Sequence, residues 1–454
     1  MKTDPPHILC VNPWIHDFAA FDFWAKPLGL LSIAAMLRQA GSRVSYLDCL
    51  DRFHPGEDRP AKILWDGRGP YGKSPLDFKT TISPYLPHGS VLPEIGQTFS
   101  RYGISPERFI RDLKELDRPD LILVTSVMTY WASGVAETIS CIKTQFPDVP
   151  VVLGGIYATL CRDHALALSG ADRVISGPGE PVIADIVREF TGVNMDIPMD
   201  PDDLDSWPFP ALDLQNHMAY APILTSRGCP FSCDYCASSF LEPGLRRRSP
   251  DHVFHEIQHW HESRGIQNFA FYDDALLVNG ERYAFPLLEK IGSSGMDLMF
   301  HTPNALHIRE IDETAARLMF RAGFKTIRLG LETTDFAGTR NHDAKVKKDE
   351  FSRAVRALKT AGFNRDQIGA YLLCGLPGQD LGDVKSSMEL VREAGITPVL
   401  AYYTPIPHTP MWDQAVKEAR FDIRLHPVLT NNTLFPCVES EEEVGRIHQL
   451  KTLL

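Results

Sequence analysis

A chain of 454 residues, 44% of them hydrophobic, can bury more core than one ordinary domain holds, so two or more domains are expected. Its formal net charge of −12 excludes a general binder of nucleic acid or anionic membrane, because neutralising phosphates takes a basic surface. No apolar run reaches bilayer-spanning length, no signal peptide precedes the first strand, and nine scattered cysteines fit a reducing compartment, so a soluble cytoplasmic protein without disulfides is expected.

Strands and helices alternate in two series. In the first, His7 to Asn12 is an apolar strand, and Leu30 to Gln39 is a helix with Leu30, Leu31, Ala34 and Leu37 on one face and Gly41 just past its end. Val44 to Cys49 is the second strand. About Asp51 to Ser105, the chain is rich in glycine and proline and reads as an excursion over the surface. Leu121 to Ser126, Val149 to Gly155 and Arg173 to Gly177 are three further strands. Val135, Ile139, Ile142 and Phe146 form a helical stripe between them, and Glu180 to Phe190 is the last helix. Residues 1–195 are therefore expected to form a doubly wound, Rossmann-like parallel sheet, with ligands at the carboxyl ends of its strands. The Gly-x-Gly-x-x-Gly phosphate loop is missing after the first strand.

Residues 196–222 carry Pro201, Pro208, Pro210 and Pro222 among aspartates and read as a linker. The second series has strands at Ile223 to Ser226, Phe269 to Asp273, Leu298 to His301, Thr326 to Leu331, Ile368 to Gly375 and Val399 to Thr404. Amphipathic helices intervene, as at Val253, Ile257 and Trp260. Six such units predict a partial (β/α)6 barrel of the TIM type over residues 223–420, its reactive loops following the strand ends. Residues 421–454 read as a tail containing Glu439, Glu441, Glu442 and Glu443. Arg246, Arg247 and Arg248, just before the helix cap Ser249-Pro250, read as a solvated face or a carboxylate clamp.

The most specific pattern follows the first strand of the second series. Cys229, Cys233 and Cys236 stand at Cys-x3-Cys-x2-Cys spacing in Thr-Ser-Arg-Gly-Cys-Pro-Phe-Ser-Cys-Asp-Tyr-Cys. A structural zinc site needs a fourth ligand, and neither a second Cys-x2-Cys nor a His pair follows at fixed spacing. Three thiolates suit a 4Fe-4S cubane, which keeps one iron open to a substrate or cofactor. The other six cysteines read as small buried hydrophobes: Cys10, Cys49 and Cys374 in strand-like runs, Cys141 in a helix, Cys161 and Cys437 without clustered companions.

This motif resembles that of the radical S-adenosylmethionine (SAM) superfamily, and the resemblance covers about residues 221–410. It implies that SAM chelates the open iron and that an electron from the cluster splits it into methionine and a 5′-deoxyadenosyl radical. Tyr235 takes the aromatic position near the SAM adenine, or packs behind the loop. Tyr272-Asp273-Asp274 stands where the family often has Gly-Gly-Glu, which resembles its cobalamin-containing branch. Either Asp273 or Asp274 would then meet the SAM ammonium. In the same way Gly330 and Glu332 resemble the fourth-strand pattern, with Glu332 reaching the SAM ribose or amino acid end. Gly375, Pro377 and Gly378 resemble the fifth-strand motif, with Gln379 where many relatives have Glu. Pro407 belongs to a turn closing the sixth strand, with His408 where Gly is commoner.

The first series resembles the cobalamin-binding domain that precedes the barrel in one radical SAM subclass. The resemblance implies cobalamin contacts at Asn12, Trp14, Thr125, Ser126, Met128, Gly154, Gly155, Tyr157, Gly177 and Glu180. Glycines at strand ends let a bulky corrin approach the backbone. Trp14, Trp24, Tyr130 or Trp131 would cover a corrin face. The motif Asp-x-His-x-x-Gly is absent, and Asp51-Arg-Phe-His54-Pro-Gly56 has the wrong spacing, so His54 reads as a loop histidine and cobalamin as base-off. The resemblance implies a cobalamin-dependent enzyme that methylates an inert carbon of a small molecule or lipid, with a flavodoxin- or ferredoxin-type electron donor. Alternatives are a cyclase or rearrangement enzyme, a tRNA methylthiotransferase, which would carry a second three-cysteine site and a basic RNA module, and a non-catalytic cobalamin or SAM sensor.

Overall fold

Every residue of the His7–Asn12 strand is buried, so its backbone groups must be met by neighbours on both sides. Arg43–Asp48 pairs with one edge and Leu121–Val124 with the other, both parallel, and Val151–Leu153 and Arg173–Val174 extend the sheet. In chain order the strands lie second, first, third, fourth, fifth. This computed structural model describes residues 5–56, 61–90, 92–336 and 346–453, so residues 57–60 and 91 of the expected excursion lie outside the described residues. The chain divides into two compact units, Met1–Met218 with Ile423–Leu434, and Ala219–Asp422 with Phe435–Leu454.

In the first unit, alternate residues of each strand reach opposite faces. Ile8 and Cys10 pack with Leu30, Ala34 and Leu37 of the Leu28–Gln39 helix and with Ile183, Ile186 and Val187 of the Ile183–Thr191 helix. Leu9 and Val11 pack instead with Val135, Ile139 and Ile142 of Ala132–Gln145 and with Phe109 and Leu113 of Pro106–Glu115. Both faces are covered, as buried parallel strands require, and the sheet is doubly wound. Its winding reverses between the first and third strands, the place where such sheets hold ligands.

The excursion carries structure of its own. Ile15–Asp17, Ser100–Tyr102 and Lys73–Pro75 form a three-stranded antiparallel sheet over a small cluster of Ile15, Leu50, Tyr71 and Tyr102. Arg52, buried, pairs with Asp22 at 3.0 Å and donates to the carbonyls of Lys62 and Gly67. Strands of three residues are too short to display the alternation by which a strand is read from sequence. The residues read as a linker also pack down: Leu204 and Trp207 bury against Met36, and Ala211 joins the core of the first unit.

In the second unit, Ala221–Ile223, Asn268–Phe271, Met299–His301, Phe324–Glu332, Ile368–Cys374 and Thr397–Tyr402 lie side by side in chain order, all parallel. Helices Pro250–Arg264, Ala284–Ser293, Glu313–Ala322, Lys348–Ala361 and Leu381–Glu393 alternate with them. This is the expected open β/α barrel. On its second, third and fourth strands, Phe300 stacks with Phe269, Phe271 and Phe324, and Phe271 with Phe324, at centroid distances of 5.4 to 5.7 Å. The segment after Phe421 is shared between the units, since Ile423–Leu434 belongs to the first and the Glu441–Thr452 helix to the second. No described helix is long and apolar enough to cross a membrane.

Trp14 is 0% exposed, donates its indole N–H to the Ile104 carbonyl at 2.8 Å and meets Phe109 edge-on at 5.0 Å. Trp14→Ala should cost about 3–5 kcal/mol, the usual range for deleting a buried aromatic. Chemical denaturation followed by circular dichroism would read the loss as an earlier unfolding midpoint.

Candidate functional site

The cysteine loop begins where the Ala221–Ile223 strand ends, and its first residues are held by a carboxylate from the neighbouring strand. Asp273, 4% exposed, accepts hydrogen bonds from the Thr225 amide at 3.0 Å, the Thr225 hydroxyl at 2.7 Å and the Ser226 hydroxyl at 2.6 Å. Burial raises the Asp273 carboxyl above the usual range, while the Ser226 and Thr225 bonds and the nearby Arg247 charge pull the other way. Ser226–Arg227 then pairs antiparallel with Arg246–Arg247 instead of continuing the barrel strand. Gly228 follows at φ +84°, and a Cβ there would lie 2.0 Å from the Gly244 carbonyl oxygen, so only glycine fits.

The three arginines read as a solvated face or clamp are all engaged. Arg246 and Arg227 both bind Glu242 at 3.0 Å, and Arg248 binds Glu256 at 2.5 Å. Arg247 donates to the carbonyls of Ala275 and Val278 and lies over the Tyr283 ring. Through Glu242, Arg227 and Arg246 tie the two sides of the cysteine loop together, and Arg247 and Arg248 fasten it to the barrel.

Cys233 is buried, while Cys229 and Cys236 are partly exposed, and all nine cysteines are free thiols. Cys229 Sγ lies 3.8 Å from His307 Nε2, and Cys236 Sγ lies 3.3 Å from the Ser238 hydroxyl. Among the described residues no group of three or more His, Cys, Asp or Glu side chains is arranged to hold a metal ion. The donor set, three thiols on one loop with two of them partly exposed, fits a cubane that keeps one iron open. Burial pushes the thiols of Cys10, Cys161, Cys374 and Cys437 up to about 12, in keeping with structural roles.

The residues expected at the remaining strand ends each have a local setting. Asp274 is partly exposed, with Asn304 Nδ2 at 3.4 Å from Oδ1, so of the acidic pair it is the one turned away from the loop anchor. Glu332 ends its strand at φ +65°, beyond a register shift at Gly330, and a Cβ on Gly330 would lie 3.3 Å from Glu332 Oε1. Gly375 has φ +86°, and its amide and that of Leu376 donate to Gln379 Oε1 while Gln379 Nε2 donates to the Leu373 carbonyl. Only an amide both accepts and donates in this way, which accounts for Gln in place of Glu. His408, where Gly is commoner, takes φ +67° and stacks on Phe240 at 4.3 Å, next to the partly buried Pro407. Tyr235 is partly buried within the cysteine loop, whose Asp234 carbonyl accepts from the Met411 amide. Sequence reasoning missed Thr225, Ser226 and Arg247 as loop anchors, and His307, which sits against Cys229 and Phe231 from a different loop.

In the first unit, Asn12 closes the first strand, still in the ladder opposite Asp48, and Thr125, Ser126, Met128, Gly154, Gly155 and Gly177 follow the carboxyl ends of later strands. Met128 is exposed, and a Cβ on Gly154 or Gly177 would meet nothing within 4 Å, which leaves a cradle of the kind a bulky cofactor needs. Other residues are spent on the fold. Ser126 bonds the Gly154 carbonyl and the Ala158 amide, and a Cβ on Gly155 would lie 2.2 Å from the Ser126 carbonyl oxygen. Asn12 bonds Asp48, and Glu180 is buried. Trp14 and Tyr157 lie in the core, Tyr157 bonded to His164, so neither covers a ligand face. Trp24 and Tyr130 are buried as well, and the Trp131 indole donates to Asp17. His54 lines a separate cavity of about 270 Å³ with Asp48, Asp51 and Asp112, its ring nitrogens engaged by Asp112 and the Gly56 amide.

Residues 223–408 match the Radical SAM superfamily, and residues 97–187 match the B12 binding domain. A methyltransferase of Pyrococcus horikoshii, itself uncharacterised, is 26% identical over 67% of this chain and 71% of that protein. The anaerobic magnesium-protoporphyrin IX monomethyl ester cyclase of Cereibacter sphaeroides is 23% identical over 68% of this chain and 55% of that protein. Among solved structures, the radical SAM methyltransferase TsrM of Kitasatospora setae superposes with a TM-score of 0.63 at 16% identity, covering 91% of this chain and 76% of that one, and so shares the fold.

Replacing Cys229, Cys233 or Cys236 by Ala should remove most iron and sulfide after anaerobic reconstitution, and full retention in a triple variant would rule out their role as ligands. The acidic pair should split. Asp273→Ala should lose cluster content along with the loop anchor. Asp274→Ala and Glu332→Ala should keep iron but lose the SAM-dependent change in the cluster's electron paramagnetic resonance spectrum.

Proposed function

Because this chain belongs to the radical SAM superfamily, in the branch with an N-terminal B12 binding domain, we propose that it is a cobalamin-dependent methyltransferase acting on an unactivated carbon of a small organic molecule or lipid. The observation that carries the reading is the three-thiol loop locked at the carboxyl end of the barrel by Asp273, in a chain that also has an open glycine cradle at the carboxyl end of a doubly wound sheet. When bound, the cluster and SAM supply a hydrogen-abstracting radical and cobalamin supplies a transferable methyl group.

The chain's residues hold, orient and exclude. Cys229, Cys233 and Cys236 would ligate three irons and leave the fourth to SAM, with Glu332 and Asp274 placed to accept hydrogen bonds from its ammonium or ribose. Phe231 and His307, ring against ring at 4.4 Å beside Cys229, keep water from that side of the loop. Thr125, Met128, Gly154 and Gly177 would border the corrin, and His54, bonded to Asp112, is read as no cobalt ligand, with cobalamin held base-off. Within the second unit an open cavity of about 610 Å³, lined by Leu277, Tyr283, Phe285 and Arg309, is of the size small-molecule sites have. Arg309 also covers the Phe231 ring at 5.3 Å, which links this cavity to the cysteine loop. An external flavodoxin- or ferredoxin-type protein would deliver the electron.

A second reading is cyclisation, favoured by the likeness to the magnesium-protoporphyrin cyclase. Anaerobic turnover with SAM, a reductant and extracts of a deletion strain separates the two. A methyltransferase gives a product 14 mass units heavier with S-adenosylhomocysteine beside 5′-deoxyadenosine, a cyclase gives no added methyl, and a sensor gives no 5′-deoxyadenosine. Gly154→Leu, which fills open space without a backbone clash, should weaken hydroxocobalamin binding about tenfold or more while iron content stays unchanged.

A further inference from the structure

One buried carboxylate in the first unit gathers three distant stretches of chain. Asp17, 2% exposed, stands at the end of the Ile15–Asp17 strand, five residues past the carboxyl end of the first sheet strand. Its Oδ2 accepts from the Trp131 indole N–H at 2.6 Å, and Trp131 follows the carboxyl end of the third sheet strand. Its Oδ1 accepts from Asn431 Nδ2 at 2.8 Å and from the amides of Phe18 and Ala19. Among the described residues no cation pairs with it. Asn431 is 0% exposed and lies in Ile423–Leu434, the stretch of chain that returns to the first unit after the barrel.

The first and third strands flank the point where the sheet reverses its winding, and the crevice for a ligand opens between their carboxyl ends. Asp17 therefore ties together the two loops that border this crevice and fixes the returning stretch against them. Other contacts follow the same path. Pro427–Thr430 packs on Thr129–Trp131, His426 meets the His164 ring at 4.7 Å, and the Thr433 carbonyl accepts from Gln97 at 3.3 Å. A carboxylate buried without a cation is costly unless its hydrogen bonds are all made, so the arrangement is stable only when Trp131 and Asn431 are both in place.

Resting on the cobalamin reading above, we propose that Ile423–Leu434 forms one wall of the corrin crevice, and that Asp17 is the positioning residue that holds this wall to the loops after the first and third strands. The wall is then supplied by chain that follows the barrel strands in sequence. A corrin could be retained only once the whole polypeptide is in place.

The test uses the full chain. Hydroxocobalamin is titrated by absorbance into wild type, Asp17→Asn and Asn431→Ala, with iron content measured in parallel, and hydrogen exchange is followed with and without hydroxocobalamin. In Asp17→Asn an amide donor must face either the Trp131 indole or the Asn431 amide, so one bond is lost with little change in volume. Expected are a loss of affinity of about tenfold or more in both variants, unchanged iron, and slower exchange over residues 426–433 when cobalamin is added to wild type. A merely structural role would leave that ligand-dependent protection absent. Wild-type affinity in folded Asp17→Asn, or protection confined to the loops at 125–128, 154–156 and 176–179, would overturn the proposal and leave the cobalamin reading standing. If Asp17→Asn does not fold, Asn431→Ala and the exchange data decide alone. A wild-type protein that binds no corrinoid overturns both.

Discussion

The second unit depends on the charge buried at Asp273. Taking a carboxylate out of water costs several kcal/mol unless its oxygens are fully bonded, and here the bonds come from the two residues that open the cysteine loop. The dependence runs both ways. Thr225 and Ser226 lose their place without the carboxylate, and among the described residues those two supply the hydrogen bonds it accepts. Arg247, anchored on the Ala275 and Val278 carbonyls, adds a positive charge nearby and pins the strand that pairs with Ser226–Arg227. The thiols are thus held on a loop fixed by its neighbours, which is how a precise ligand set is built.

Beyond that anchor, the barrel strands end abruptly, and the backbone records it. Glu332, Gly375 and His408 all lie at positive φ at or just after the ends of the fourth, fifth and sixth strands. For Glu332 and His408 such a conformation costs on the order of 1–3 kcal/mol and persists only where the surroundings impose it. His408 is held by its stack on Phe240, and Glu332 follows a register shift in its strand. Each of these residues lies where the chain leaves or has left the ladder at the carboxyl side of the barrel.

Much of this was legible in the sequence, because buried parallel strands are nearly continuous apolar runs and the cysteine spacing has few other uses. His7–Asn12 was read to the residue, and both series of alternating elements were found. What failed to show has physical causes. Strand ends were read too long at Ser126 and Gly155, since residues that leave a ladder at its carboxyl end look no different from residues within it. Trp14 and Tyr157 were read as ligand contacts because an aromatic ring suits a core as well as a cofactor, and both proved to be core. Gln379 and His408 looked like departures from a family pattern, and the structure gives each a local reason in hydrogen bonding or stacking. Asp17 and Asn431 are 414 positions apart, a pairing that no local pattern carries.

The glycines of the first unit sharpen the point about signals. Gly154 and Gly155 are adjacent and were read alike, yet they answer to different demands. A Cβ on Gly155 would strike the backbone of Ser126, so its own fold requires glycine there whether or not anything binds. A Cβ on Gly154 would meet nothing, so the fold places no such demand and the requirement, if the position is to stay small, comes from a ligand. Gly177 differs from both, since its surroundings are open but its φ of +89° is by itself a reason of the fold for glycine. A glycine pair at a strand end is therefore not by itself a mark of cofactor binding. The mark is the glycine that the protein's own atoms leave uncrowded, at the crevice where the sheet reverses its winding.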